Sequence, residues 1–266
     1  MTRISWDGTA NKFYEAGVDQ GVLYIDGLDG VPWIGLVSVS ENPSGGDARE
    51  SYLDGIKIVN RSRPEDFKAK IEAYTYPKEF EVCEGSQELA NGLRISQQNR
   101  KMFNLSYRTK VGNDTNGLDH AYKIHLIYNA LAAPTDKDYE SLSDDVEPST
   151  FSWNISTRPV RFEDPFFGVK YGAHLVLDSR VIYPWAMEAI ENVLYGTDET
   201  APKLPTPQEL LELFVDNALV KVIDNGDGTF TVTGPDEAVS SAGDFFTVDW
   251  PSVVTIDEDS SQLSSL

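Results

Sequence analysis

Alternating apolar and polar residues dominate the middle of this chain. Between Phe103 and Ala133 the alternation predicts two long strands around a loop rich in Gly, Asn and Asp, and a third strand follows within Thr150–Val160. Phe67–Tyr76 and Ala173–Asp178 alternate in the same way. Apolar and polar residues that alternate with a period of two, so that one face is exposed to solvent, are typical of antiparallel sheets, whereas buried parallel sheets show continuous apolar runs. The pattern therefore predicts a mainly β chain with antiparallel sheets.

Turn-forming residues shape the first quarter of the chain. Val22–Ile25 and Pro32–Val39 are predicted to pair as an opening hairpin, since Ile25–Gly30 between them supplies residues that tolerate a positive φ. Glu41–Asp66 begins with the loop-like run ENPSGGDAR, contains a short predicted strand GIKIVN (Gly55–Asn60) and is predicted to be one long loop excursion. Loops of this length inside compact domains are usually functional or disordered.

Helical periodicity enters only towards the C-terminus. Pro184–Tyr195 carries an apolar stripe and ends before Gly196, which predicts a helix. A second helix is predicted to begin at Thr206, where Glu209 completes a capping box. Beyond it, the turn signal Asn225–Gly228 predicts a hairpin of the strands Ala218–Ile223 and Thr229–Thr233. Two further strands are predicted at Phe245–Val248 and Val253–Ile256.

These elements predict two domains of unequal size. A main β domain occupies residues 1–196 and contains the loop excursion at 41–66. Residues 197–205 form a polar, proline-bearing linker, residues 206–258 a small acidic α+β domain, and residues 259–266 a flexible acidic tail.

The charge balance restricts the possible partners. The net charge is −21, and the segment from Ala201 to Leu266 alone carries 12 acidic residues against 2 lysines and no arginine. A specific DNA or RNA binder needs cations against phosphate, so this class is excluded. Two interpretations stay open. The acidity lets DNA slide past without sticking, or it only keeps the protein soluble.

Catalytic and metal-binding motifs are not found. A histidine metal site needs two or more converging ligands, and nothing in the sequence places His120, His125 and His174 together, so no metal site and no cofactor are predicted. The calcium-loop-like run Asp224–Thr229 lacks the required ligand pattern and is interpreted as a hairpin turn. Cys83 is the only cysteine, which excludes an internal disulfide, suits a reducing cytoplasm and is expected to be a small half-buried residue.

No targeting segment is expected. The chain contains no apolar run of about 18 residues that would predict a membrane span, and its N-terminus lacks the apolar core of a signal peptide.

Four stretches together resemble a known family. They are SYRTKVGND (Ser106–Asp114), YKIHLIYNALAAPTDKDYES (Tyr122–Ser141), TFSW (Thr150–Trp153) and ENVLYGTDETAPKLPTPQELLELF (Glu191–Phe214). In these stretches the chain is similar to the major tail protein, or tail tube protein, of the long-tailed, siphovirus-type phages that infect actinobacteria.

The resemblance implies a fold and a structural role. The fold would be an antiparallel β-sandwich or half-barrel of the tail-tube type with a flanking α-helix. Hexameric rings would close by edge-to-edge pairing of one sheet and stack into the tail tube of the virion, assembled in the host bacterial cytoplasm. Partners would be other copies of the chain, the tape-measure protein, the tail terminator and the baseplate or distal tail proteins. Genomic DNA would pass through the lumen without specific binding, and the chain would be neither an enzyme nor a membrane protein.

A local basic cluster predicts where subunits meet. Arg49, Arg61 and Arg63 lie in the loop excursion of an otherwise acidic chain, and Tyr52 lies between them. Because the neighbouring subunit would be acidic, these four residues are predicted to contact it.

Other functions remain open at this point. Aromatic residues make up 11% of the chain, with five Trp, so a carbohydrate-binding or receptor-binding β-sandwich protein is an alternative. The additional C-terminal domain also allows a tail or capsid decoration protein, or a baseplate protein. A hydrolase has no motif to support it.

Overall fold

The computed structural model describes residues 12–45, 48–53, 56–62, 65–137, 139, 148–164, 168–218 and five short strands beyond them. Along 48–53 and 56–62, and from residue 215 onward, it describes the course of the backbone only. Within these ranges no helix combines the length and the hydropathy needed to cross a membrane. The described residues fall into two compact units, of which the first runs to Ile182 and includes Glu191–Leu204.

The first unit is built mainly from strands. Its elements, in chain order, are β1 (Phe13–Tyr24), β2 (Val31–Pro32), β3 (Leu36–Glu41), β4 (Ser44–Gly45), β5 (Ala48–Leu53), β6 (Ile56–Ser62), β7 (Glu65–Asp66), β8 (Lys68–Ala73), a 3-10 turn (Lys78–Phe80), α1 (Glu81–Glu84), β9 (Gln87–Ala90), β10 (Leu93–Ile95), β11 (Phe103–Asn113), β12 (Gly117–Pro134), β13 (Phe151–Thr157), β14 (Val160–Asp164), β15 (Gly168–Gly172), β16 (His174–Asp178) and the C-terminal part of α2 (Pro184–Tyr195).

One antiparallel sheet organises this unit. Its strand order is β2-β1-β11-β12-β13-β8-β3, and β16 adds to β12. β12 is shared between two halves of the sheet: β11 and β16 pair along its first part, and β13 pairs with its last five residues. The strand changes direction at Asn129, which has φ 48°. The sheet therefore curls, and β3 at one end of the order comes back into contact with β1. The mainly β, antiparallel fold class is confirmed.

The concave side of the curled sheet holds the core. Alternate residues of β8, β11 and β13 point into it, as their sequence period predicts. Trp153 is fully buried and packs edge-on against Phe80 and Trp33, with ring centroids 5.1 and 5.8 Å apart. Cys83 lies in the same cluster and is fully buried rather than half-buried, and burial raises the pKa of its thiol to about 12.

The opposite side of the sheet is covered by the last turns of α2. Tyr24 donates a hydrogen bond to the Leu194 carbonyl (2.8 Å), and Tyr122 donates one to Glu191 Oε1 (2.7 Å). Ile124 and Leu126 of β12 are fully buried on this side. β12 thus has both faces covered, which explains why its middle is almost continuously apolar.

The predicted loop excursion is built from paired strands instead. β4 pairs with β7, and β5 pairs with β6 from Ala48↔Ser62 to Leu53↔Ile56. The strand predicted at Gly55–Asn60 is confirmed as β6, whereas β4, β5 and β7 were expected to be loop. The turn residues of the excursion only bracket the strands, and β-branched residues such as Ile56, Ile58 and Val59 favour extended backbone.

The opening hairpin is shorter than predicted. β2 pairs with β1 only at Val22↔Pro32 and Leu23↔Val31, and Leu36–Glu41 pairs with β8. The predicted single strand over Pro32–Val39 is therefore wrong. Gly35 interrupts it with a φ of 90°, a conformation that turns the chain away from β1.

The second unit contains Tyr183–Ile190 and the described residues from Pro205 on. It includes α3 (Pro207–Ala218), β17 (Lys221–Asp224), β18 (Thr229–Thr233), β19 (Glu237–Val239), β20 (Phe245–Thr247) and β21 (Ser252–Thr255). The capping box is confirmed, since the Glu209 amide donates to Thr206 Oγ1 (3.2 Å) and the Thr206 amide to Glu209 Oε2 (2.7 Å). β17 pairs with β18 as predicted, and β21 extends that ladder. The domain boundaries at residues 196 and 206 stay a prediction, as does the tail at 259–266, which lies outside the described residues.

Gly35 offers a test of the turn that separates β2 from β3. A Cβ at this position would lie 2.5 Å from Thr75 Cγ2 and 3.2 Å from the Thr75 amide nitrogen. Gly27 has a similar φ of 83° but open space around it. We expect Gly27→Ala to cost about 1 kcal/mol of unfolding free energy, the penalty of a left-handed conformation alone, and Gly35→Ala to cost clearly more. Urea unfolding of both variants measures the difference, and equal costs would contradict this packing at Thr75.

Candidate functional site

In the part of the sheet formed by β16, β12, β11 and β1, two strand edges are open among the described residues. Within the described chain, β16 pairs with β12 alone. The Tyr128 amide donates to the Ala173 carbonyl (2.9 Å), and the Ser179 amide donates to the Tyr122 carbonyl (3.1 Å). Every second residue between 173 and 179 therefore bonds to β12 through its backbone. The backbone groups of Val176, which is 46% exposed, point to the other side of the strand.

The other open edge belongs to β1. β2 covers only Val22 and Leu23 of this strand, whereas β11 runs along it from Phe13 to Tyr24. Among the described strands, the outer edge of β1 before Gly21 has no partner. Phe13 and Tyr14 at its start are about half exposed. β16, β12, β11 and β1 thus form a four-stranded sheet that is open on both sides.

Ion pairs hold the open part of β1 to the sheet. Arg108 of β11 makes a bidentate pair with Asp19, with Nε–Oδ1 and Nη2–Oδ2 distances of 2.8 and 2.9 Å. The hydrogen bonds from Arg108 lower the pKa of Asp19 from its ordinary value. Lys123 of β12 pairs with Glu15. These contacts order a strand that has backbone partners on one side only.

The predicted contact residues lie on the β5–β6 ribbon. Arg49 and Arg61 occupy directly opposed positions of the ladder, and Tyr52 is paired with Lys57. Their side chains lie outside what the structure describes, and Arg63 lies outside the described residues altogether. The ladder does bring the backbones of Arg49 and Arg61 together, although they are twelve positions apart in sequence.

A second exposed hairpin was missed by the sequence analysis. β9 and β10 pair across Asn91 and Gly92, and every residue of the two strands is exposed, including Leu89, Leu93 and Ile95. The Asn-Gly pair was the available signal, because it is the strongest short-range marker of a two-residue hairpin. Its apolar residues form a further candidate contact surface.

Two of the three histidines converge with a carboxylate. His125 Nδ1 lies 3.2 Å from His174 Nε2, and Glu41 Oε1 lies 3.3 Å from the first nitrogen and 3.7 Å from the second. The expectation that nothing places the histidines together is wrong for this pair. β16 aligns with β12 so that Ile127 faces His174 and Val176 faces His125, which puts both imidazoles on one face. His120 is elsewhere, against Asn113.

Aromatic rings and hydroxyl groups enclose the cluster. The His125 ring stacks on Tyr107 (centroids 4.6 Å apart) and the His174 ring on Phe67 (4.4 Å). Tyr107 donates a hydrogen bond to Glu41 Oε1 (2.8 Å), and Thr109 Oγ1 lies 3.0 Å from His125 Nε2. Hydrogen bonding by His125 and Tyr107 lowers the pKa of Glu41 to about 2, while burial lowers the pKa of His174.

The Glu41 carboxylate and the imidazole nitrogens determine what the cluster can bind. Glu41 is a carboxylate at neutral pH, and the two imidazoles can each offer a lone pair to a shared point. The arrangement is a hydrogen-bonded network that links β3, β12 and β16. Sequence alone could not find it, because each histidine sits in an ordinary alternating strand and only the register of β16 on β12 joins them.

Two of the five tryptophans serve the core. Trp33 and Trp153 are buried against each other, so neither is available as an exposed platform for sugar rings. Exposed aromatic residues do occur, among them Tyr74, Tyr139 and Tyr171.

No family model and no curated protein matches this chain. The solved structures to which this chain is similar include three that illustrate the likeness. These are the sheath–tube complex of the extracellular contractile injection system PVC in its extended state (13% identity, 60% of this chain, 88% of that chain, TM-score 0.28), Hcp1 from Flavobacterium johnsoniae (16%, 60%, 100%, 0.28) and the tube-terminating cap of the anti-feeding prophage (11%, 60%, 89%, 0.30). Each likeness concerns a part of the β architecture at low identity and assigns no activity.

The Asp19–Arg108 pair predicts a pH dependence of stability. The folded-state pKa of Asp19 is depressed below its ordinary value of 3.8, so the pair contributes stability above that pH and loses it as the pH falls through the folded value. We expect Asp19→Asn to melt below the wild type at neutral pH, with the difference vanishing in acid. The effect is modest because the Asp19 side chain is 36% exposed. Melting curves across pH measure it, with exposed Asp29→Asn as the control. A difference that does not shrink as the pH is lowered would assign the loss to another cause.

Proposed function

We propose that this chain is a structural subunit of a phage-type tail tube. Hexameric rings of it stack into the tube of a siphovirus-type virion tail, through which DNA passes into the host cell. The observation that carries the proposal is the four-stranded sheet β16-β12-β11-β1, open on both sides. Exposed strand edges are avoided in stable monomers because they template pairing with other chains.

The two edges are suited to a ring. Pairing the β1 edge of one subunit with the β16 edge of its neighbour is a head-to-tail contact, which closes into a ring when the rotation between subunits divides a full turn. Closure pairs the β1 and β16 edges and makes one continuous barrel from the β16-β12-β11-β1 sheets of all subunits. A second head-to-tail contact along the axis stacks the rings into an open filament.

The sequence resemblance supports the same part of the molecule. Of its matching stretches, Ser106–Asp114 lies in β11, Tyr122–Ser141 begins in β12, and Thr150–Trp153 leads into β13. β11, β12 and β13 contribute residues to the core. The two strands with open edges, β1 and β16, pair with β11 and β12. The similarity to tail tube proteins of actinobacteriophages therefore falls on the elements that a tube subunit would use for assembly.

The charge supports passage of DNA without binding. With a net charge of −21, the chain cannot neutralise phosphates over a large surface, and each neutralised phosphate would add affinity and friction. The proposed partners are therefore other copies of this chain, the tape-measure protein, the tail terminator and the baseplate or distal tail proteins. The role is structural, with no catalytic step.

Val176 offers a test of the β16 edge. Proline at this position removes an outward N–H but no bond to β12, whereas alanine removes the side chain and keeps the N–H. We expect wild type and Val176→Ala to form hollow tubes or stacked rings, and Val176→Pro to remain as unassembled, folded subunits. Negative-stain electron microscopy of concentrated full-length protein scores assembly, and circular dichroism confirms folding.

Two outcomes would count against the proposal. Tubes formed by Val176→Pro as readily as by wild type would exclude the β16 edge from the contact. Wild-type protein that stays monomeric even when seeded with tails from a phage lysate would contradict the tube function itself, and glycan binding would then test the receptor-binding alternative.

The β5–β6 ribbon is proposed as the contact between neighbouring subunits or rings. Reversing Arg61 and Arg63 to Glu places negative charge against an acidic neighbour, so we expect assembly to fail or to need high salt, which screens repulsion. Arg61→Lys with Arg63→Lys keeps the charge and should assemble. Sedimentation at two ionic strengths measures both variants, and unimpaired assembly of the Glu variant would remove the ribbon from the contact.

A further inference from the structure

We propose that Glu41, His125 and His174 bind one divalent transition-metal ion, of which Zn²⁺ is the physiological candidate. The three donor atoms are Glu41 Oε1, His125 Nδ1 and His174 Nε2, which come from β3, β12 and β16. All three lie within 4.8 Å of one another, in the first compact unit of the chain.

The donor spacing fits a tetrahedral ion. With bonds of about 2.0–2.1 Å to nitrogen and oxygen, two ligands of tetrahedral zinc are about 3.3 Å apart. The three separations here are 3.2, 3.3 and 3.7 Å. One ion can therefore contact all three donors after side-chain shifts of a few tenths of an ångström.

The surroundings of the donors match those of metal ligands. A metal-bound histidine usually donates its other ring N–H to an oxygen, which fixes the tautomer. Thr109 Oγ1 lies 3.0 Å from His125 Nε2, so it can accept from an Nε2–H when Nδ1 binds an ion. Tyr107 donates to Glu41 Oε1, which keeps a second lone pair for an ion. Stacking on Tyr107 and Phe67 holds both imidazoles in place.

The ligand types select the class of metal. Two imidazole nitrogens and one carboxylate favour Zn²⁺ and its first-row neighbours over Mg²⁺ and Ca²⁺, which prefer all-oxygen sites. The His125 side chain is 9% exposed, the His174 side chain 15% and the Glu41 side chain 36%. The cluster thus opens towards solvent at Glu41, where water can take the fourth position.

The ion would tie the end of β3 to the central strands. Glu41 is the last residue of β3, and the β4–β7 and β5–β6 pairs follow it directly. β3 hydrogen-bonds to β8 but not to β12 or β16 in the described ladders. A bound ion would cross-link these strands without any backbone contact and would stiffen the base of the ribbon.

Spectroscopy of the intact protein tests the site directly. Full-length protein stripped with a chelator is titrated with Co²⁺, whose visible absorption distinguishes tetrahedral from octahedral coordination, and then with Zn²⁺. We expect one tetrahedral Co²⁺ per chain, displaced by one equivalent of Zn²⁺ and retained in excess Mg²⁺. Zn²⁺ should also raise the melting temperature, because it binds the folded state.

Variants assign the ligands. Glu41→Gln and His174→Gln should weaken Zn²⁺ binding by more than about 100-fold, and Thr109→Val by roughly 10-fold, in line with the loss of an outer partner. His120→Gln is the matched control, since it removes a histidine outside the cluster and should leave affinity unchanged. Calorimetric titration measures the affinities, and circular dichroism checks that each variant is folded.

Several results would overturn the site. These are an octahedral Co²⁺ spectrum, Zn²⁺ binding that excess Mg²⁺ abolishes, or equal weakening by His120→Gln, each of which indicates diffuse binding to an acidic surface. Absence of Zn²⁺ binding at 100 µM would leave the cluster as a hydrogen-bond network only. None of these readouts depends on tube assembly, so failure here and failure of the proposed function are distinguishable.

Discussion

The bend in β12 at Asn129 is the constraint on which the first unit depends. Before the bend, β12 lies between β11 and β16, and after it the strand leads the sheet towards β13, β8 and β3. The left-handed backbone at Asn129 is held by two neighbours, since its amide donates to Asn104 Oδ1 (2.8 Å) and its carbonyl accepts from the Arg158 amide (3.2 Å).

The sheet has two roles, which are to pack the core and to present open strand edges. Both halves contribute to the aromatic core, β8 and β13 through Ile71 and Trp153, and β11 through Phe103 and Tyr107. The half formed by β16, β12, β11 and β1 has one face covered by the C-terminal turns of α2 and leaves two strand edges open. A closed barrel has no open strand edge that could pair with a neighbouring subunit, and a flat sheet would not enclose a core. The proposed tube subunit therefore has a hydrophobic core of its own and two edge strands, β1 and β16, with backbone groups available for pairing with other copies.

The carboxylate–imidazole cluster sits where these two halves meet. Tyr107 and Phe67 shield it, while Glu41 links it to the ribbon. His125 is buried and His174 is partly buried, and burial of polar side chains is costly unless each is paired. Here each imidazole has a partner in the other imidazole and in the more exposed Glu41. A metal ion would use the same donors and would turn a network of hydrogen bonds into a cross-link between strands that do not otherwise pair.

The sequence by itself determined the elements whose signals are local. The alternation of β8, β11, β12 and β13, the bounds of α2 and the capping box at Thr206 were all readable, because each depends on neighbours a few positions away. Only the tertiary structure decided which strands pair. It moved Leu36–Glu41 from β1 to β8, turned the loop excursion into a ribbon and aligned His174 beside His125, 49 positions away in the chain. Strand register is a long-range property, set by packing and bends such as Asn129, and a period of two looks the same for every possible partner.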